Sequence, residues 1–275
     1  MEFIEIIKAI ILGIIEGITE WLPVSSTGHM ILVDEFLQLN MSPAFKEMFF
    51  VVIQLGAIMA VVVLYWKKIF PFSFKKKPFV QKSIIIMWIK VIIACLPAAV
   101  IGLLFDDKVN ELFYNFQTVA IMLILFGIFF IVVENYNKGK IPVATDMDQL
   151  TFKMAIIIGL FQVIAAVFPG TSRSGATILG ALLIGVSREV ATEFTFFLAI
   201  PVMFGASLLK LVKFGFVFTG FEMIILSVGS IVAFIVSILA IKFLVGYIKK
   251  HDFKVFGWYR IILGIILLGY YFFLR

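Results

Sequence analysis

Glu16 and Glu20 stand four residues apart in the segment Glu16-Gly-Ile-Thr-Glu20-Trp-Leu-Pro23-Val-Ser25-Ser26-Thr27-Gly28-His29. On a helix they share one face, with side chains about 6 Å apart. At an effective dielectric near about 20, two bare carboxylates at that distance repel by about 3 kcal/mol, or roughly two pKa units. A proton, Arg173, His29 or a divalent metal must offset that repulsion. His29 follows Ser26 by three residues, one helical turn, and within reach of the glutamate face it reads as a general acid/base or an activator of a nucleophile. The competing readings are two solvated helix-end glutamates and a hydrogen-bonded polar histidine. Carboxylates are rare enough in apolar segments to favour chemistry.

A second polar break, Phe168-Pro169-Gly170-Thr171-Ser172-Arg173-Ser174-Gly175, lies far along the chain. Ser25, Ser26 and Thr27 after the first proline, and Thr171, Ser172 and Ser174 around Arg173, can cap the helices that follow. Free backbone amides and the positive dipole end there favour an anion. For Ser25, Thr27, Thr171 and Ser174 taken singly, plain capping explains the residue as well as ligand binding does. Arg173 is different, because a guanidinium beside a glycine-rich helix start in an apolar half is costly unless it faces an anion, and its fork fits phosphate oxygens.

The elements that must hold these loops belong to a membrane. Of 275 residues 63% are hydrophobic and 15% charged, which excludes a soluble class. Windows able to cross about 30 Å of hydrocarbon fall at 43–66, 84–105, 116–134, 190–212, 221–246 and 258–274. The stretches 4–22, 27–39, 153–168 and 174–186 are shorter or more polar, and each pair is joined by one proline break. They are expected to form two re-entrant helix hairpins, since broken backbone at membrane depth is tolerated only where protein or a cavity lines it. The expected fold is an all-α polytopic membrane protein, a single domain over 1–275.

The halves repeat, approximately 1–138 and 147–275. Gln162 and Glu16, Pro169 and Pro23, Ser172 and Ser26, and Glu193 and Glu47 are all separated by 146, and one inserted residue then aligns Gly175 with Gly28. One hairpin plus three spans per half predicts an inverted-topology repeat whose hairpins approach from opposite faces and meet near the midplane. Lysine placement orients it. Lys67, Lys68, Lys75, Lys76, Lys77 and Lys82 follow the first full span with no acidic residue among them, which predicts the cytoplasmic side. Asp106, Asp107 and Glu111 then fall outside, Lys249, Lys250 and Lys254 inside, and both termini outside. Lys210 and Lys213 mildly oppose this. The formal net charge of +6 is accounted for by topology and anionic lipid, with no reason to invoke nucleic acid.

The remaining polar residues read more plainly. Cys95, the one cysteine, lies in an apolar run as packing, and no cleavable signal peptide is evident, since Met1 to Lys8 is mixed in charge and no small-residue cleavage site follows the first apolar stretch. His251 lies among lysines and reads as loop. Glu47 and Glu193 read as capping or pairing groups, and Gln54 and Pro201 as marks of close packing or bends. Arg260 opens the last span as an anchor, with an inward role left open. Broken helices meeting at midplane also suit a midplane-site transporter or flippase, a lipid carrier or an ion-coupled one, which needs to bind and release but not cleave.

Glu16 to His29 together with Pro169 to Gly175 resembles the two signatures of the bacitracin-resistance type of undecaprenyl-diphosphate phosphatase. Gln54-Leu-Gly-Ala-Ile58, Glu193 to Pro201 and Tyr259-Arg260 extend the resemblance over essentially the whole chain. It implies removal of the terminal phosphate from the C55 polyprenyl diphosphate carrier, in the bacterial plasma membrane, by a homodimer with an extracytoplasmic-facing site. It also implies dependence on a divalent cation, Mg²⁺ or Ca²⁺, and a catalytic set of Glu16, Glu20, Ser26, His29 and Arg173. Ser25, Thr27, Gly28, Thr171, Ser172, Ser174 and Gly175 are expected to bind the phosphates. A diphosphate beside two carboxylates is repelled unless a cation bridges them, so Glu16 and Glu20 are the expected metal ligands. In the favoured mechanism Ser26 attacks phosphorus while His29 or a glutamate takes its proton. In the alternative His29 activates water or itself attacks, and Ser26 only orients phosphate.

Overall fold

The computed structural model describes residues 2–73 and 79–273, with the side chains of 106, 107 and 110 outside that description. The expectations resting on Lys75, Lys76, Lys77, Asp106 and Asp107, and the last residue of the sixth predicted window, fall outside it. Ten α-helices and a 3-10 turn at Met147–Gln149 make up the regular elements, with no β-strand among the described residues. Among the described residues six helices are long and apolar enough to cross a membrane: α3 (Pro43–Ile69), the first part of α4 (Lys82–Phe113), α5 (Phe116–Asn137), α8 (Arg188–Phe214), α9 (Gly220–Ile248) and α10 (Lys254–Phe273). They coincide with the six predicted windows. Four shorter helices, α1 (Glu2–Thr19), α2 (Ser26–Phe36), α6 (Phe152–Val167) and α7 (Arg173–Leu183), flank the two proline breaks.

Local chemistry sets the boundaries. Ser42 accepts from the Phe45 amide with Pro43 in the first turn of α3, and Asn115, Ser187 and Thr219 cap α5, α8 and α9 in the same way. Gly215 ends α8 at φ 94, where a side chain would be strained. Pro201 does not interrupt α8.

The two halves are interleaved. α1 packs along α9 and α6 along α4, so each half's first short helix lies against the fourth helix of the other; α3 meets α8 and α5 meets α10. Gly13 of α1 and Gly159 of α6 occupy the same register (159 minus 13 is 146) and make the same kind of contact. A Cβ on Gly13 would lie 2.6 Å from the Gly229 carbonyl oxygen, and one on Gly159 would overlap the Ala94 carbonyl. Backbones this close gain the dispersion contacts that replace the hydrophobic effect in lipid. Gly159→Leu is expected to cost about 3 kcal/mol, read as a clear drop in melting temperature in detergent; an unchanged melt would show that α6 does not need this approach.

Glu47 and Glu193 pair rather than cap. Lys68 Nζ lies 2.6 Å from Glu193, and Lys210 pairs with Glu47, tying opposite ends of α3 and α8. A further bridge that the sequence did not reveal joins Glu134, itself buried, to the partly exposed Arg188. Glu134 accepts from Arg188 Nε (2.9 Å) and NH2 (2.5 Å) and from the Phe253 amide (2.9 Å), fixing the end of α5 to the starts of α8 and α10. Outward faces such as Ile121, Ile128 and Val132 of α5, and Ile231, Ile235 and Leu239 of α9, are left exposed. Apolar surface of that extent suits lipid tails.

Candidate active site

Each proline break is followed by a serine held in the left-handed region: Ser25 at φ 74 before α2 and Ser172 at φ 68 before α7. Such a conformation costs a non-glycine residue about 1–2 kcal/mol, offset here because each serine caps its helix. Ser25 Oγ accepts from the Gly28 amide at 3.2 Å and Ser172 Oγ from the Gly175 amide at 3.1 Å. This corrects the expected register. The caps are 147 apart (172 minus 25), while the prolines are 146 apart, so the inserted residue falls before the caps. Ser172 is the counterpart of Ser25, and the counterpart of Ser26 is Arg173.

That equivalence makes the site legible. Ser26 and Arg173 occupy the first position of α2 and α7, and both reach the same carboxylate. Ser26 Oγ donates to Glu20 Oε2 at 2.7 Å, and Arg173 NH2 donates to Glu20 Oε1 at 3.0 Å. Glu20 is 6% exposed, so its charge is held by these two partners rather than by water. Arg173 is aimed by a second bond, NH1 to the Thr195 carbonyl at 3.0 Å, and Thr195 Oγ1 is in turn bonded to Thr177 at 2.9 Å. Ser174 Oγ donates back to the Glu20 carbonyl at 3.1 Å, a direct tie between the two breaks.

Glu16 lies one turn before Glu20, 1% exposed, against the Glu20 carboxylate, with its Oε1 lacking any partner. Its repeat counterpart Gln162 is equally buried, and neither of its amide atoms has a hydrogen-bond partner. Thr171 Oγ1 and the Nε atoms of Arg173 and Arg260 are also buried and unpartnered. Buried polar atoms are nearly always satisfied, so a cluster of exceptions around one junction marks a place built for something else to complete it. Among the described residues no group of three or more His, Cys, Asp or Glu side chains could hold a metal. Two adjoining carboxylates, one with a free oxygen, still fit a hard cation that draws its other ligands from phosphate and water.

The structure brings together Glu16, Glu20, Ser26 and Arg173. It turns His29 aside, to hydrogen bonds with the Ser25 carbonyl (Nδ1, 2.8 Å) and the Tyr259 hydroxyl (Nε2, 2.6 Å). The group in contact with the Ser26 hydroxyl is therefore Glu20. Gly28 and Gly175 give their amides to the caps, which leaves the preceding first-turn amides of α2 and α7 without intrahelical acceptors. The missing Cβ of Gly175 also makes room for Arg260, whose NH1 would lie 2.7 Å from it.

Arg260 is the residue the sequence undervalued. It is fully buried and donates from NH1 to the Pro23 carbonyl (3.2 Å) and from NH2 to those of Gly170 (2.9 Å) and Thr171 (2.7 Å). One side chain thus clasps both breaks. An arginine four turns from the end of an apolar helix was the available signal, since such charges face the protein interior.

The profile of the family described as "Bacitracin resistance protein BacA" matches residues 9–266. The chain is 70% identical over 271 residues to the undecaprenyl-diphosphatase of Desulfitobacterium hafniense, covering 98% of each. It is 66% identical to undecaprenyl-diphosphatase 1 of Clostridium acetobutylicum, over 98% of this chain and 99% of the relative, and 64% identical to the undecaprenyl-diphosphatase of Enterococcus faecalis V583, over 99% and 100%. On this match and these identities the chain belongs to the bacitracin resistance protein BacA family.

Proposed function

We propose that the protein is a membrane phosphatase that hydrolyses undecaprenyl diphosphate to undecaprenyl phosphate and inorganic phosphate. This recycles the lipid carrier of peptidoglycan synthesis and confers resistance to bacitracin. The observation that carries the reading is the Glu20 carboxylate shared between the Ser26 hydroxyl of one break and the Arg173 guanidinium of the other. A binding site alone has no use for a hydroxyl already bonded to a base.

In the proposed mechanism the diphosphate head lies at the junction while the prenyl tail stays among the apolar helix faces. Ser26 Oγ attacks the terminal phosphorus as its proton passes to Glu20 Oε2. The new bond is Oγ–P, and the bond that breaks joins that phosphorus to the bridging oxygen, which leaves as undecaprenyl phosphate. Arg173 and the first-turn amides of α2 and α7 stabilise the equatorial oxygens, worth about 3–4 kcal/mol for one well-placed donor. Glu20 gives the Ser26 proton up to the departing oxygen of undecaprenyl phosphate. Water then attacks the phosphoserine, Glu20 takes the water proton and returns it to Ser26 Oγ as the Oγ–P bond breaks, and inorganic phosphate leaves with Ser26 and Glu20 both restored. Glu16 and Glu20 would hold Mg²⁺ or Ca²⁺, which when bound neutralises the phosphate charge that two carboxylates would otherwise repel. We place the site toward the extracytoplasmic side of the plasma membrane, on the lysine-poor side reached by the first hairpin.

Purified protein in detergent is expected to release phosphate from C55 polyprenyl diphosphate, to fall to background when a chelator removes divalent cations, and to recover on adding Mg²⁺ or Ca²⁺. Detergent abolishes any gradient, so a folded protein that binds the lipid without releasing phosphate would be a carrier instead. Turnover undiminished by the chelator would remove the cation from the scheme and leave Arg173 to balance the carboxylates alone.

A further inference from the structure

We propose that Tyr259 is a positioning residue that holds His29 with its hydrogen on Nδ1 and its lone pair on Nε2. The argument begins with what each neighbour can do. Nδ1 lies 2.8 Å from the Ser25 carbonyl oxygen, which only accepts, so Nδ1 carries a hydrogen in every charge state. Nε2 lies 2.6 Å from the Tyr259 hydroxyl, which both donates and accepts. In the neutral ring the phenol donates to the Nε2 lone pair. When the ring gains a proton, Nε2–H donates to the phenol oxygen instead. Both bonds survive the change, and only the hydroxyl hydrogen turns.

The partners are fixed from both sides. Ser25 is pinned as the cap of α2, with its own side chain buried. Tyr259 precedes Arg260, which is anchored to three carbonyls of the two breaks, so α10 cannot shift the phenol without disturbing those bonds. The two rings are parallel to within 3° with centroids 5.6 Å apart, so the imidazole is set by ring contact as well as by the hydroxyl at 2.6 Å. Imidazole in water prefers its hydrogen on Nε2, so this arrangement imposes the less common tautomer. Tyr259 is 45% exposed, so the same hydroxyl connects a half-buried histidine to its surroundings.

The tautomer assignment does not rest on the phosphatase reading. The test labels histidine with ¹⁵N in the full chain in detergent micelles, where the two histidines give two sets of ring signals and His251→Gln assigns them. At a pH where the ring is neutral, the His29 Nδ1 signal is expected to be of the hydrogen-bearing type and Nε2 of the lone-pair type. Tyr259→Phe keeps the ring and removes the hydroxyl; it is expected to shift His29 toward the Nε2–H form. A wild-type His29 with hydrogen on Nε2 overturns the proposal, as does Tyr259→Phe with an unaltered spectrum. The wild-type spectrum decides even if the variant does not fold. Both spectra are taken without substrate, so a protein that released no phosphate would overturn the function above and leave the tautomer result standing.

Discussion

Glu20→Gln is expected to lower the rate of phosphate release by about 10³-fold or more, with a change in KM of less than about fivefold. General-base catalysis alone contributes about 10²–10⁴, and this carboxylate also holds Arg173 (3.0 Å) and Ser26 (2.7 Å) in one geometry. Glutamine keeps the size and one acceptor oxygen. It cannot take the Ser26 proton, and its amide nitrogen would point a donor at either the hydroxyl or the guanidinium. Glu20→Asp keeps the charge and shortens the reach, so it should retain part of the activity. Single-turnover phosphate release on the two variants and the wild type makes the comparison. Glu20→Gln with activity within tenfold of wild type would remove Glu20 as the base and return that task to His29.

The distinction matters because sequence spacing alone favoured neither. His29 follows Ser26 by one helical turn, which places their Cα atoms on one face but says nothing of where the imidazole turns. The ring is drawn instead to the Ser25 carbonyl and to Tyr259, a residue 230 positions away. Glu20 reaches Ser26 because the chain reverses between them at Pro23, so the last turn of α1 faces the first of α2. Hydrophobic periodicity has no access to that reversal.

What was legible follows the same division. The six spans were readable to within a few residues, because about 20 consecutive apolar residues leave little choice of element in lipid. The pairing of Glu47 and Glu193 was foreseen as one of two options, and the repeat supplied it: both carry the same number within their halves and both meet a lysine. The chemistry of the two breaks was readable as a set of residue types, and Glu16, Glu20, Ser26 and Arg173 are found together. Register was misread by one residue. Matching Ser26 to Ser172 keeps like residues together, whereas the backbone matches caps, and capping depends on φ at Ser25 and Ser172 that composition does not encode. The corrected register changes the chemical meaning, because it makes the proposed nucleophile Ser26 and the proposed phosphate clamp Arg173 occupy equivalent places in the two halves. Glu134 with Arg188, and Tyr259 with His29, were not legible because each joins residues far apart in the chain through side-chain direction alone.

Arg260→Ala is expected to produce the largest loss of stability of any single change near the site, about 4 kcal/mol or more, with loss of activity to match. The guanidinium is fully buried and supplies the donors for the Pro23, Gly170 and Thr171 carbonyls. Hydrogen bonds from a charged donor contribute about 1.5–3 kcal/mol each, and a buried acceptor left unmade costs about 1–3 kcal/mol. Alanine would also open a cavity between the breaks that no neighbour is placed to fill. Arg260→Lys separates charge from geometry: lysine restores the positive charge but cannot span carbonyls on both breaks with a planar fork. It should recover much of the melting temperature and little of the turnover, since Glu20 belongs to one break and Arg173 to the other, and their 3.0 Å contact depends on the two being held in register. Melting in detergent and phosphate release on the same preparations measure both. If Arg260→Lys restored stability and turnover together, positive charge alone would account for Arg260, and the clasp between the two breaks would have no part in aligning the site.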